Sequence, residues 1–160
     1  MDLKDKITTK LKESFTDSIL EVTDFKGDLA ITIDAKRVTE IAKFLKEEPE
    51  LEFNLCEDVT AIDWGTVKNR FTVVYHIFSL SNNFRLRLRS NIEVDSIESV
   101  CSIWESANWY ERETFDMYGI KFKNHPDLRR MYMPEEFEYY PLRKDFPLTG
   151  IPGSLTLPKK

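Results

Sequence analysis

Six of the seven prolines lie in the last 35 residues, at Pro126, Pro134, Pro141, Pro147, Pro152 and Pro158. Each locks its own φ and removes a backbone donor, so proline at this density forbids a long helix and interrupts strand ladders. The segment after Gly119 must therefore be extended and loop-like. Disordered tails are poor in large aromatics, yet Tyr132, Phe137, Tyr139, Tyr140 and Phe146 stud this one. An extended segment of that kind needs a surface to lie on, either its own domain or a neighbour. The expected division is an α+β domain over residues 1–120 and an extended C-terminal arm over residues 121–160, packed on the domain or on a partner subunit.

The part before the arm alternates between two periodicities. Leu3, Ile7, Leu11 and Phe15 recur every four residues, one stripe of an amphipathic helix. Ile19 to Phe25 and Leu29 to Ile33 are β-rich runs joined by Lys26-Gly27-Asp28, which reads as a hairpin. Asp34 is placed to cap a helix whose apolar face is Val38, Ile41, Ala42 and Leu45, and Pro49 ends it. Val59 to Trp64 and Arg70 to Leu80 read as strands, followed by a turn at Ser81-Asn82-Asn83. Phe84, Leu86 and Leu88 then alternate with Arg85, Arg87 and Arg89. That arginine ladder is either a strip for docking an acidic partner or a solvated sheet face paired across the strands. Ile97, Val100, Cys101 and Trp104 have helical spacing and predict a helix, and another runs from near Asn108 to Gly119 as C-cap. The fold expected is α+β: a small mixed or largely antiparallel sheet of about five strands, covered by helices, with the Pro-rich arm beyond.

Composition removes whole classes of function. The chain has 160 residues, 28 acidic against 23 basic, and a net charge of −5, which argues against a nucleic-acid binder. Its only soft ligands are Cys56, Cys101, His76 and His125, too few and too scattered for an iron–sulfur cluster or a structural zinc site. The two cysteines form no CxxC and read as buried free thiols in a reducing compartment. The five glycines allow neither GxGxxG nor GxxxxGK[ST], and HExxH and GxSxG are absent. Cys101 and His125 can be imagined as nucleophile and base, but Cys101 sits on an apolar stripe, where a buried thiol is expected. His76 lies inside a strand without a second ligand at metal spacing and reads as structural. The longest nearly apolar run, Phe71 to Leu80, is half of what a membrane helix needs, about 20 residues. MDLKDKITTKLKESF lacks the apolar centre of a secretory signal, so a cytoplasmic setting is expected.

Two charged stretches remain. In WYERETFDMYGI, residues 109–120, Arg112 and Asp116 are at i, i+4 and Glu113 and Asp116 at i, i+3, so a salt-bridge network on one helix face is expected. Read as an enzyme, Glu113 and Asp116 would be an acid–base carboxylate pair. Neighbours on one helix stand side by side, however, and do not flank a substrate, and an arginine between them keeps both ionised. Charged residues that lock the following loop, or face another subunit, fit better. The second stretch is HPDLRR, residues 125–130, with PLRKDFP, residues 141–147. Proline stiffening reduces the entropy lost on docking, and arginine suits bidentate pairing with carboxylates.

The motifs SANWY (106–110), ERExxDMYGI (111–120), HPDLRR (125–130), MPEEF (133–137) and PLRKDFPL (141–148) occur in one order and spacing over the last third of the chain. In this it resembles the 30-kDa subunit family of proton-pumping NADH–quinone oxidoreductase, respiratory complex I. Ser106 stands where that pattern has glycine, and the chain stops at Lys160 where many relatives run on. The resemblance implies a hydrophilic, cofactor-free subunit of the peripheral arm, on the cytoplasmic side of the cell membrane. It would dock the 49-kDa-type subunit, while other subunits carry the iron–sulfur clusters and FMN. Glu111, Arg112, Glu113, Asp116, His125, Arg129, Arg130, Arg143, Lys144 and Asp145 would then be structural or partner-contact residues, none of them catalytic. Alternatives are the same module in a membrane-bound hydrogenase or a ferredoxin- or deazaflavin-fed complex, a stand-alone hydrolase using Glu113 and Asp116, or a free-standing module that captures a peptide.

Overall fold

The period-two segments assemble into one five-stranded sheet. The computed structural model describes residues 2–65 and 68–151. Its strands are β1 (Ile19–Phe25), β2 (Asp28–Asp34), β3 (Leu55–Asp63), β4 (Phe71–Ser79) and β5 (Phe84–Ile92), in the order β1-β2-β5-β4-β3. All neighbours are antiparallel except β2 and β5, so the sheet is mixed. The first hairpin closes more tightly than its sequence suggests. Phe25 pairs with Asp28, and the two linking residues, Lys26 and Gly27, have φ of 52° and 97°. Positive φ at both central positions is the type I′ turn that matches strand twist.

On the inner face, Ile31, Ile33, Val73, Tyr75, Ile77, Leu86 and Leu88 are buried. They share a core with Ile7 and Leu11 of α1 (Leu3–Ser14) and Val38, Ile41, Ala42 and Leu45 of α2 (Val38–Glu47). Burying each such Leu or Ile contributes roughly 1.5–3 kcal/mol relative to exposure. Asp34 does cap, but it accepts from Lys36 N–H at the head of a short 3-10 turn, Ala35–Arg37, which leads into α2.

The helix expected over Ile97 to Trp104 is not there. Ile97 belongs to β6 (Ser96–Glu98), which pairs in parallel with β7 (Lys121–Lys123), Ile97 opposite Phe122. Val100, Cys101 and Trp104 follow in turns, with a single helical-type bond from Trp104 N–H to Val100 O. All four apolar residues are buried, so their spacing recorded burial and not a helix. The last helix, α3 (Ala107–Tyr118), runs along edge strand β3. Thr114 Oγ1 donates to Val59 O and Ser106 Oγ to Cys56 O, both at 2.8 Å. These bonds cover carbonyls that an open edge would leave unpaired. From Asn124 to Ile151 the described residues form turns and coil; Pro152 and Pro158 lie outside the described residues.

Candidate functional site

Arg112, Asp116, Arg130, Arg143, Lys144 and Asp145, singled out in the sequence, converge where the coil after β7 crosses α3 and the sheet end. They tie that coil down at three places.

The first is Asp116, whose side chain is fully buried. Its Oδ2 accepts from the N–H groups of Met131, Tyr132 and Met133 at 3.0, 2.7 and 3.0 Å. Its Oδ1 accepts from Arg130 Nη1 at 2.7 Å. Burial by itself would raise this carboxyl, but the three N–H donors and the guanidinium outweigh it and hold it below the ordinary carboxylate range. The Arg130 guanidinium also lies 5.1 Å from the centre of the Tyr140 ring. Arg112 does not pair with Asp116, contrary to the i, i+4 expectation. It donates to the carbonyls of Arg129 and Arg130 at 3.2 and 3.3 Å and stacks on Trp109. Coil carbonyls without secondary-structure partners need donors, and a buried guanidinium supplies them.

The second is Arg143. Its Nε donates to Tyr118 O at 2.5 Å and its Nη2 to Asp95 at 3.0 Å, with the Phe71 and Tyr140 rings 5.2 and 4.6 Å away. Both contacts crowd Gly119, the C-cap of α3, at φ 77°. The third is Asp63, which accepts from Gly65 N–H, both forks of Arg70 and, at 2.7 Å, Lys144 N–H. Arg70, first, and these N–H groups keep Asp63 ionised to well below the usual range. Arg70 reaches on to Asp145 at 2.9 Å. Lys144 thus contributes through its backbone. Asp63, Arg70 and Asp95 went unnoticed in the sequence: Asp63 and Arg70 pair seven residues apart, and their links to the coil span 75 residues for Arg70, 81 for Asp63 and 48 for Asp95. No local signal marks such links.

Glu113 is exposed while Asp116 is buried and saturated with donors, so they form no acid–base pair. Arg129 is exposed and paired with Asp127 at 2.8 Å.

A separate polar cluster lies beneath α3. The Glu111 side chain is fully buried and accepts from Ser99 Oγ, Val100 N–H and Cys101 Sγ at 2.6, 2.8 and 3.2 Å. His125 Nε2 sits 4.0 Å from Glu111 and 3.2 Å from the Asn108 carbonyl. Cys101, Glu111 and His125 present ligand atoms within 4.8 Å of one another, enough to ask whether they could hold a metal. The tautomer argues against it. His125 Nδ1 accepts from Asp127 N–H at 3.0 Å, so the ring proton sits on Nε2, the atom facing the cluster. Burial also lifts the Cys101 thiol to about 12, which keeps it protonated and poorly nucleophilic. Burial raises the Glu111 carboxyl as well. A raised acid stabilises the fold fully below its unfolded value, about 4.3, and loses that contribution as pH climbs through the folded value. Glu111→Gln should therefore flatten the decline in melting temperature between pH 4.5 and pH 8. An unchanged decline would mean that Glu111 is ionised throughout.

Comparisons agree on one relationship. The family model described as Respiratory-chain NADH dehydrogenase, 30 Kd subunit, matches residues 31–152. An NADH-quinone oxidoreductase subunit of Geobacter sulfurreducens is 49% identical over 144 residues, covering 88% of each chain. The subunit of the same name from Roseiflexus sp. is 41% identical and covers 89% of this chain and 83% of its own. Among solved structures, the trypsin-resistant fragment of Nqo5 superposes with a TM-score of 0.64 at 26% identity, over 78% of this chain and 99% of that one. A chain of the membrane-bound sulfane sulfur reductase, an archaeal respiratory membrane complex, reaches 0.74 at 22% identity, over 92% and 87%, and shares the fold.

Proposed function

The chain belongs to the 30 Kd subunit family of respiratory-chain NADH dehydrogenase, and from that premise we propose that it is a cofactor-free scaffold of a proton-translocating NADH–quinone oxidoreductase. In this reading residues 1–120 are the body and 121–160 an arm presented to the quinone-site, 49-kDa-type subunit, on the cytoplasmic side of the membrane. Among the described residues no helix is long and apolar enough to cross a membrane, which fits a peripheral position.

One observation carries the proposal. Asp116, Arg130, Arg112, Arg143 and Asp145 spend their charge on links within the chain, while Tyr132, Leu142 and Leu148 of the segment they hold remain exposed at 60%, 53% and 106%. Pinned backbone carrying exposed apolar side chains is prepaid in entropy for binding a neighbour. The complex would transfer the electrons; this chain would position the subunits that do.

Affinity purification of the tagged full chain from native membranes, with identification of co-purifying subunits, tests this. A 49-kDa-type subunit and flavin and iron–sulfur subunits are expected. A nickel-containing large subunit without a flavin subunit would move the chain to a hydrogenase-type machine. Stoichiometric iron or NADH oxidation in the isolated chain would refute the scaffold role.

A further inference from the structure

The arginine ladder of β5 is not used by any of the anchors above. Arg85 is already satisfied, held by Glu57 through a two-point contact at 2.8 and 3.0 Å. Arg87 and Arg89 are not. Arg87 Nε donates to His76 Nε2 at 3.1 Å, and His76 Nδ1 faces Asp58 at 3.3 Å, a chain that holds the guanidinium in place without neutralising it directly. Arg89 Nε is buried with no hydrogen-bond partner. Among the described residues no carboxylate lies within ion-pair distance, 4.0 Å, of Arg87 or Arg89. Of the other arginines, all but Arg112 are paired with a carboxylate, and Arg112 is spent on the coil carbonyls of Arg129 and Arg130.

Arg89 opens on a cavity of about 430 Å³ whose lining includes Glu21, Thr32, Thr72, Trp64 and Asn91. Glu21 lines it without reaching the guanidinium. Trp64 is 58% exposed, and its Nε1 donates to Thr72 Oγ1 at 2.9 Å, so the indole is fixed with much of its apolar surface bare. Ile62, 37% exposed, lies beside it. A fixed tryptophan beside Arg89 brings together two of the residue types most enriched in protein-binding hot spots. An orphaned buried N–H is a standing cost that an incoming acceptor removes.

We propose that the outer face of the sheet around Arg87, Arg89 and Trp64 receives a carboxylate-bearing segment of a neighbouring subunit. On alternate strand positions the two arginines stand roughly 7 Å apart, which suits two acidic residues on alternate positions of an extended partner segment. Arginine's planar fork favours carboxylate over a single point acceptor. Trp64, which shares the Arg89 cavity on the Thr72 side, packs against an apolar side chain two positions further along the same face of that segment. This rests on the reading that the chain is a subunit, and it adds a second contact surface on the opposite side of the sheet from the α1–α2 core.

Arginine-selective labelling with phenylglyoxal, mapped by mass spectrometry, compares the purified native complex with the free full chain. Arg87 and Arg89 should be modified several-fold more slowly in the complex. In complexes carrying Arg87→Lys or Arg89→Lys, a water-soluble carbodiimide should join the new amine to an aspartate or glutamate of another subunit. Equal labelling in complex and free chain overturns the proposal, and leaves the subunit reading standing if the other subunits still co-purify. Protection without any carbodiimide link overturns the acidic occupant. So does protection of the free chain by inorganic phosphate alone, which would make the site one for small anions.

Discussion

Gly119→Ala is expected to release the segment after β7 from the body of the protein. At φ 77° an alanine already bears the strain of the left-handed region, and its Cβ would lie 2.6 Å from Arg143 Nη2 and 2.7 Å from the Tyr140 ring. Those groups cannot simply step aside. Arg143 is tied to Tyr118 O and Asp95, and Tyr140 lies between Arg143 and Arg130. Left-handed strain of about 1 kcal/mol and overpacking of about 1–3 kcal/mol give a loss on the order of 2–4 kcal/mol. For a chain of this size that is a drop in melting temperature of about 2–4 °C per kcal/mol. Limited proteolysis should also cut between Tyr139 and Ile151 before the domain unfolds. Gly150→Ala is the control, since Gly150 has a φ of 72° with nothing within 4 Å of its would-be Cβ. Equal damage from both variants would show that backbone strain, and not the Arg143–Tyr140 contact, decides the outcome.

Asp116→Ala should cost more, on the order of 3–5 kcal/mol, because it strands three backbone N–H groups and a buried guanidinium at once. Asp116→Asn should rescue only part, since an amide replaces one accepting oxygen with donors that face other donors. Hydrogen exchange at Met131, Tyr132 and Met133 reads the effect directly. Their protection should collapse, while the β4 amides, which exchange only through global opening, should lose no more than the variant costs the whole fold. The same carboxylate sets the response to acid. A depressed carboxyl contributes stability that is present above its unfolded value of about 3.9 and is lost as pH falls through the folded value. Asp63 and Asp145 are depressed as well, both chiefly by Arg70, so all three anchoring carboxylates are lost in the same direction below about pH 4. Exchange at residues 131–133 should rise in that acid range in the native chain and be pH-insensitive there in Asp116→Ala. Protection that survives below the folded value would place the anchoring elsewhere.

Local rules made much of the fold readable. The alternation from Phe84 to Arg89, the Lys26-Gly27 turn and the stripes of α1 and α2 depend on neighbours within a few residues, and sequence carries that information. The same reasoning failed at Ile97 to Trp104, where burial against β7 imitates a helical period. It also failed at Arg112, where proximity along α3 suggested Asp116 as partner but unsatisfied coil carbonyls claimed the guanidinium.

The prolines pointed to a chain end without long helix or ladder, and the aromatics to one that rests on a surface; among the described residues Lys121–Lys123 still pair as β7, and turns and coil follow from Asn124 to Ile151. Which surface holds it was decided only in three dimensions. Asp63 meets Lys144 across 81 residues, and Asp116 meets three successive amides from a different element. Backbone groups freed from secondary structure take whichever buried charge the packing brings to them, and sequence spacing does not encode that choice.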